Sequence, residues 1–307
     1  MRVILAGTPS FASAIFALLL EDSGFEILAL ICQPDKPFGR KGEPKAPHTK
    51  EMLIQKNLQH IQILQPSSID SAFIESIRDL KPDMILVVAY GKILPQAFLD
   101  IAPCINIHAS LLPQWRGASP IQQMLLNQPK FFGITAMKMN LKLDSGEILG
   151  FSYLANTGQN FTLLCEQLSH LGAKLAINTL KHFNEIKPLK QYDLDSSYCG
   201  KIVKSFGKVE LENAKSVYCA YLAYCEWPHI FIQSESGYTL KLFDLHLVES
   251  TQTHKQGEIL NIDSQSIIVG CLMGSLRIGF LQQEGKAKIQ APLYINGKRL
   301  KIGDILC

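Results

Sequence analysis

The chain has 307 residues, more than one ordinary domain holds, so two domains are expected. Hydrophobic residues make up 47% and charged residues only 19%, which excludes a disordered chain. The formal charge of +3 does not by itself announce a nucleic-acid partner. No apolar run approaches the roughly 18 residues of a membrane helix, so no membrane contact is expected.

The opening MRVILAGTPS has too short an apolar run for a signal peptide. It reads as a strand from Arg2 to Ala6 followed by a turn. A helix from Ser10 to Leu20 and a strand from Glu26 to Cys32 come next. QPDKPFGRKGEPKAP, with four prolines and two glycines, predicts a loop. Helix resumes near Thr49, a short strand covers Ile61 to Leu64, and a helix covers Ser68 to Leu80. Met84 to Ala89 is apolar throughout, as in a strand covered on both faces. Strands alternating with helices imply an α/β fold with a mostly parallel, Rossmann-like sheet, whose ligands bind beyond the carboxyl ends of the strands.

CINIHASLLPQWRG, from Cys104 to Gly117, ends a strand in just that position. Alternate residues share a face, so Asn106 and His108 point one way, Ile105 and Ile107 the other. A neutral His moves protons near pH 7, and an Asn amide can hold a developing oxyanion; together they suit acyl transfer. A hydrogen-bonded structural His at a strand end fits the same pattern, and the residues alone leave both readings open. Asp144, in the turn LDSGE between strands Gly133–Asn140 and Glu147–Ala155, could complete the set or be a turn aspartate. Gly7 is the only glycine before Gly24, so AGTPSF is no dinucleotide loop. Neither a nucleophile elbow nor a Walker phosphate loop is present.

Beyond a long helix from about Phe161 to His182 the pattern loosens into a polar linker. A helix from Ala214 to Cys225 then precedes several short strands, which suggest a small antiparallel barrel. Eight scattered cysteines without C-x-x-C or zinc-ligand spacing read as free thiols in a reducing cytoplasm, and no metal is expected.

INIHASLLPQWRGASPIQ followed by LDSGEIL resembles the folate-dependent formyltransferases. RVILAGTPSFA, QPDKPFGRKGEPKAP and VVAYGKILP support the likeness in order and spacing. The resemblance implies formyl transfer from 10-formyltetrahydrofolate to the α-amine of initiator methionyl-tRNA. It implies that Asn106, His108 and Asp144 are catalytic. Ser110, Leu111, Leu112 and Pro113 would contact folate, and Val87, Val88, Ala89, Tyr90 and Gly91 would wall the pterin pocket. It further implies a catalytic, folate-binding domain over 1–183, a linker over 184–208 and an OB-like tRNA-binding barrel over 209–307. A cytoplasmic monomer is expected.

The loop from Gln33 to Pro47 would then reach the tRNA acceptor arm. Residues 35 to 50 hold Lys36, Arg40, Lys41, Lys45 and Lys50 against Asp35 and Glu43, which suits phosphate contact. A second basic run, Lys286 to Lys301, includes Lys298 and Arg299. The likeness weakens in the C-terminal half. Of a family Asn-Pro-Trp-Pro turn only Trp227 and Pro228 stand here, although LQQEGKAKIQ and INGKRLKIGDIL resemble the family's terminal strands. Sugar-nucleotide formyltransferases share the core motif, and a silent RNA-binding relative is the reading from another class. The latter would be marked by loss of the Asn, His or Asp, and all three are present.

Overall fold

The computed structural model describes residues 1–39, 42–234 and 237–306. The chain divides into two compact units. The first holds Met1–Pro120, Lys130–Ala155 and Leu164–Cys199; the second holds Ile121–Pro129, Asn156–Leu163 and Gly200 onward.

In the first unit, β1 (Arg2–Gly7) leads into α1 (Ser10–Leu19) and β2 (Glu26–Ile31). The Gln33–Pro47 segment is not a plain loop. Its strands β3 (Lys36–Phe38) and β4 (Glu43–Lys45) form an exposed antiparallel ribbon. Pro37 lies opposite Pro44, a position where the missing N–H groups remove no ladder bond. That is how a proline-rich segment still pairs.

The chain continues through α2 (His48–Gln55), β5 (Gln62–Leu64), α3 (Ser71–Asp79), β6 (Met84–Val88), α4 (Gln96–Leu99) and β7 (Cys104–His108). Helix α3 starts later than its sequence suggests because Asp70 caps it. The Asp70 carboxylate accepts the Phe73 N–H at 3.0 Å, and Ser68 bonds to Asp70 rather than entering the helix. After β8 (Arg116–Gly117) come α5 (Pro120–Asn127), which from Ile121 on belongs to the second unit, then β9 (Phe131–Lys138), β10 (Ile148–Ala155) and α6 (Phe161–Lys181), which is in the first unit from Leu164 on.

The main sheet has the order β10-β9-β7-β6-β1-β2-β5. Its β7-to-β5 portion is parallel, and β9 and β10 add antiparallel strands beside β7. Strands β1, β6 and β7 are buried on both faces, which explains their unbroken apolar runs. On one face, Ile74 and Ile77 of α3 and Phe98 pack with Ile4, Ala6, Ile85, Val87 and Cys104. On the other, Gly172 of α6 lies against Ile15, Ile107 and Ile134. From β1 the chain builds outward to β5 and then returns to β6 on the opposite side. The β1–β6 boundary is therefore the topological switch point, where open α/β sheets bind ligands.

Residues past α6 join the first unit as far as Cys199, including the short β11 (Tyr198–Cys199), which pairs in parallel with β8. In the second unit, Asn213 caps α7 (Ala214–Ala223) by accepting the Ser216 N–H. Strands β12 (Phe231–Gln233), β13 (Thr239–Glu249), β14 (Ile259–Ile262), β15 (Ile267–Gly270), β16 (Ser275–Gln283) and β17 (Ile289–Gln290) form a six-stranded antiparallel sheet.

The first part of INGKRLKIGDIL is not a strand. Ala291–Lys298 is helix α8, opened by Pro292 and closed by Arg299 in a left-handed conformation with φ of 58°. Burial of Tyr294 and Ile295 on one side fixes it as a helix. Only the last residues run strand-like, through main-chain bonds such as Ile259 N–H to Asp304 O and Leu306 N–H to Gly257 O. Among the described residues no helix is long and apolar enough to cross a membrane.

Candidate active site

Strand β7 leaves the core at His108. Cys104 belongs to the α3-side core, so Asn106 and His108, two and four residues on, emerge along the same face at the carboxyl end. Both are nearly buried, at 9% and 6% exposure. Asp144 reaches them from the β9–β10 turn. Its Oδ2 lies 3.6 Å from His108 Nδ1, and its Oδ1 accepts from Asn106 Nδ2 at 3.5 Å. The geometry thus brings together the three side chains singled out in the sequence.

The same carboxylate accepts the Gly117 N–H at 2.8 Å. Asp144 itself is left-handed, with φ of 45°, a conformation that costs an L residue about 1–2 kcal/mol. The turn also needs Gly146, since a Cβ there would lie 1.6 Å from the Lys138 carbonyl oxygen.

His108 is held in one tautomer. Its Nε2 lies 3.0 Å from the Trp115 carbonyl, which can only accept, so Nε2 carries the hydrogen. In the neutral ring Nδ1 is then the basic nitrogen, and it is the one facing Asp144. Trp115 presents that carbonyl from a left-handed residue, φ of 55°. The loop around it is stitched to the segment before β11: Trp115 N–H donates to Ser197 Oγ, Arg116 N–H to Ser197 O, and Ala118 N–H to Cys199 O.

The Ser110–Pro113 loop leads away from His108. Ser110 and Leu112 are buried, while Leu111 and Pro113 are half-buried. Thr135, opposite His108 on β9, organises this loop. Its hydroxyl donates to Ser110 O at 2.6 Å and accepts from Leu112 N–H at 3.1 Å. Along Val87–Gly91 the side chains of Val87, Val88 and Tyr90 are core. What this stretch exposes is Ala89 and Gly91, both with positive φ. Burial pushes the Tyr90 hydroxyl up to about 12, so it stays neutral at pH 7. Thr8 and Gln33 both donate to the Tyr90 carbonyl, closing the β1–β6 crevice with polar contacts.

The basic residues are dispersed. Lys36 and Lys45 face each other across the ribbon, both exposed, an arrangement of like charges that does nothing for the ribbon's stability. Lys45 Nζ sits 4.7 Å from the centre of the exposed Phe38 ring. Lys50 does not add to that charge: its ammonium is bonded to Asp35 and Gln65. Arg40 and Lys41 lie outside the described residues. In the second unit Lys298 ends α8, stands over Tyr238 and Tyr294, and with Lys286, Ile289 and Leu293 lines a surface groove. Arg299 is exposed beside it in the chain.

Three contributors had no signal in the sequence. Thr135 sits in an apolar strand, and Gln191 in a polar stretch without periodicity. The Trp115 carbonyl belongs to the backbone. Phe38 could have been found as the one aromatic in a basic, proline-rich segment.

The family model described as formyl transferase matches residues 1–155, and the formyl transferase C-terminal domain matches residues 201–299. The methionyl-tRNA formyltransferase of Helicobacter pylori strain 26695 is 49% identical over the full length of both chains. That of Nitratiruptor sp. is 45% identical over 99% of each. Among solved structures, an N-formyltransferase from Helicobacter canadensis in complex with folinic acid and dTDP-3-aminofucose superposes with a TM-score of 0.67. It is 16% identical and covers 92% of this chain and 99% of its own. HypX from Aquifex aeolicus with tetrahydrofolic acid gives a TM-score of 0.64 at 15% identity, over 96% of this chain and 46% of that longer one. At these identities the structures establish the fold.

Proposed function

The chain belongs to the methionyl-tRNA formyltransferases, transferring the formyl group of 10-formyltetrahydrofolate to the α-amine of methionyl-tRNA for translation initiation, and we propose that Asn106, His108 and Asp144 carry out that transfer. One observation supports the site assignment above all. A carboxylate, an imidazole of fixed tautomer and an amide converge at the end of β7, beside the β1–β6 switch point.

The residues fit a reduced folate carrying a formyl group. Val87, Val88 and Tyr90 keep their side chains in the core, so Ala89 and Gly91 offer main-chain donors and acceptors to a flat heterocycle. Ser110, Leu111, Leu112 and Pro113 flank the His108 end of the same crevice with a largely apolar loop. When bound, the donor supplies an activated formyl carbon on a nitrogen leaving group.

Asn106 Nδ2 has a second N–H beyond the one directed at Asp144. It donates to the formyl oxygen as negative charge develops there, an effect worth about 10²–10³ in rate. His108 Nδ1 accepts the proton released as the α-amine attacks. Asp144 stabilises the imidazolium that forms 3.6 Å away. The proton then passes, directly or through water, to the departing folate nitrogen. Trp115 keeps the ring from turning its other nitrogen inward.

Lys36, Lys45, Arg40 and Lys41 contact the tRNA acceptor arm in this reading, joined by the exposed ring of Phe38. Lys298 and Arg299 contact RNA backbone from the second unit. Residues 1–183 carry folate and chemistry, and 209–307 form an OB-like RNA-binding domain. The protein works as a cytoplasmic monomer on initiator methionyl-tRNA.

The test is an acceptor assay. The full chain is incubated with 10-formyltetrahydrofolate and methionyl-tRNA, glycinamide ribonucleotide or a sugar-nucleotide amine. Formylation confined to methionyl-tRNA is expected. Turnover of only a small-molecule amine, or RNA binding without turnover, overturns the reading.

A further inference from the structure

Arg116 is the largest fully buried side chain of the described residues, at 1% exposure, and the mechanism above gives it no role. Its Nε and Nη2 donate to Gln191 Oε1 at 3.1 and 2.9 Å. Its Nη1 reaches Asp193 Oδ1 at 2.9 Å and Tyr198 Oη at 3.1 Å. Gln191, 7% exposed, turns its amide nitrogen toward the catalytic turn. There Nε2 donates to the Asp144 carbonyl at 3.0 Å and to the Gly146 carbonyl at 2.6 Å.

This amide has one orientation. Flipped, its nitrogen would face two guanidinium donors and its oxygen two carbonyls, so every contact would be lost at once. The clamp grips the main chain on both sides of Ser145, where Asp144 is in its left-handed conformation. Arg116 also serves from its main chain. It precedes Gly117, whose N–H holds the Asp144 carboxylate, and both residues lie in β8. Strand β8 thus secures Asp144 at its carboxylate, through the Gly117 N–H, and at its backbone, through Gln191 held by the Arg116 side chain.

We propose that Arg116 and Gln191 are positioning residues for the formyl transfer, a buried guanidinium–amide clamp that sets the place of Asp144 relative to Asn106 and His108. This rests on Asp144 being catalytic. Neither residue is among the reacting groups of the mechanism above. Each acts through the turn, and a displacement on the order of 1 Å at a catalytic group can cost about a hundredfold in rate.

Gln191→Glu tests this. A glutamate keeps the length and pairs with Arg116, but it presents oxygen to the Asp144 and Gly146 carbonyls. Gln191→Asn keeps the amide and shortens its reach, and it carries the test if the glutamate variant fails to fold. Asp144→Asn runs in parallel. Steady-state kinetics on folded, full-length protein, varying 10-formyltetrahydrofolate and methionyl-tRNA in turn, are expected to show kcat reduced about 30-fold in Gln191→Glu and about tenfold in Gln191→Asn. KM for both substrates is expected within twofold of the parent. A kcat within twofold of the parent in a folded variant, or a loss seen in KM alone, overturns the clamp. A fully active Asp144→Asn overturns the catalytic reading instead, whatever the Gln191 variants do.

Discussion

The polar residues at the end of β7 and the lysines of the second unit solve opposite problems. At β7, Asp144 is approached by Asn106, His108 and Gly117, and His108 is anchored again by Trp115, with Asn106 and His108 buried. On the second unit, Lys286 and Lys298 line an open groove, and Lys298 rests on tyrosine rings instead of a carboxylate. Buried polar groups concentrate their effect in a few irreplaceable atoms, because a missing partner leaves another group desolvated. Exposed charges act through a long-range, screened field, so each contributes little and several are interchangeable. Buried arrangements of the first kind suit specific chemistry, and exposed charges of the second kind suit adhesion to a polyanion.

The sharpest way to break this contrast is His108→Ala. Single-turnover formyl transfer is expected to fall by about 10²–10⁴, with the same fractional loss at low and moderate salt. A rate within threefold of the parent removes His108 from the mechanism. Asn106→Ala should cost about 10²–10³ in kcat, again without salt dependence.

Gly146→Ala asks whether the turn is as constrained as its contacts imply. With a Cβ driven onto the Lys138 carbonyl, a stability loss of about 1–3 kcal/mol is expected, read as a lowered denaturation midpoint. An unchanged midpoint means the turn has slack.

On the exposed side, Lys286→Ala combined with Lys298→Ala should leave kcat alone and raise KM for methionyl-tRNA several-fold. The log–log salt slope should become shallower by about 0.7–0.9 per lysine that contacts phosphate. A loss of kcat with an unchanged slope would erase the distinction between the two regions.

The smallest effect concerns His229, beside Trp227 and Pro228. Burial holds its pKa below the ordinary 6.5, and Lys241 and Lys288 push in the same direction. Protonation therefore favours the unfolded chain. Its contribution is present above pH 6.5 and is lost as the pH falls from there through the folded value. Urea midpoints between pH 7.5 and 5 should drop modestly, and His229→Phe should flatten that drop. A midpoint rising toward pH 5 in the parent and not in the variant would reverse the sign.

The main sheet was legible because burial on both faces writes continuous apolar runs into β1, β6 and β7. Asn106 and His108 were legible for the complementary reason: a polar residue in such a run demands an explanation. Asp144 could be singled out as a turn aspartate, but its approach to His108 depends on β9 pairing antiparallel to β7, a long-range event without a local signature. Gln191 was invisible, since a glutamine among lysines, a tyrosine and aspartates looks solvated until Arg116 is known to be buried beside it. In the tail, isolated apolar residues between Lys288 and Ile305 fit short strands as well as a helix. Pro292 at the start and the left-handed Arg299 at the end decide for α8.

The β3–β4 ribbon has one more consequence, for the protein at the concentrations of a crowded cell. A small two-stranded ribbon projecting into solvent has unpaired edges onto which a strand from another molecule could add. Pro37 and Pro44 withhold the amide hydrogens such a strand would need, and Lys36 and Lys45 repel an identical ribbon. Its prolines and lysines therefore guard the segment against its own copies, and it can remain exposed without becoming a seed for aggregation.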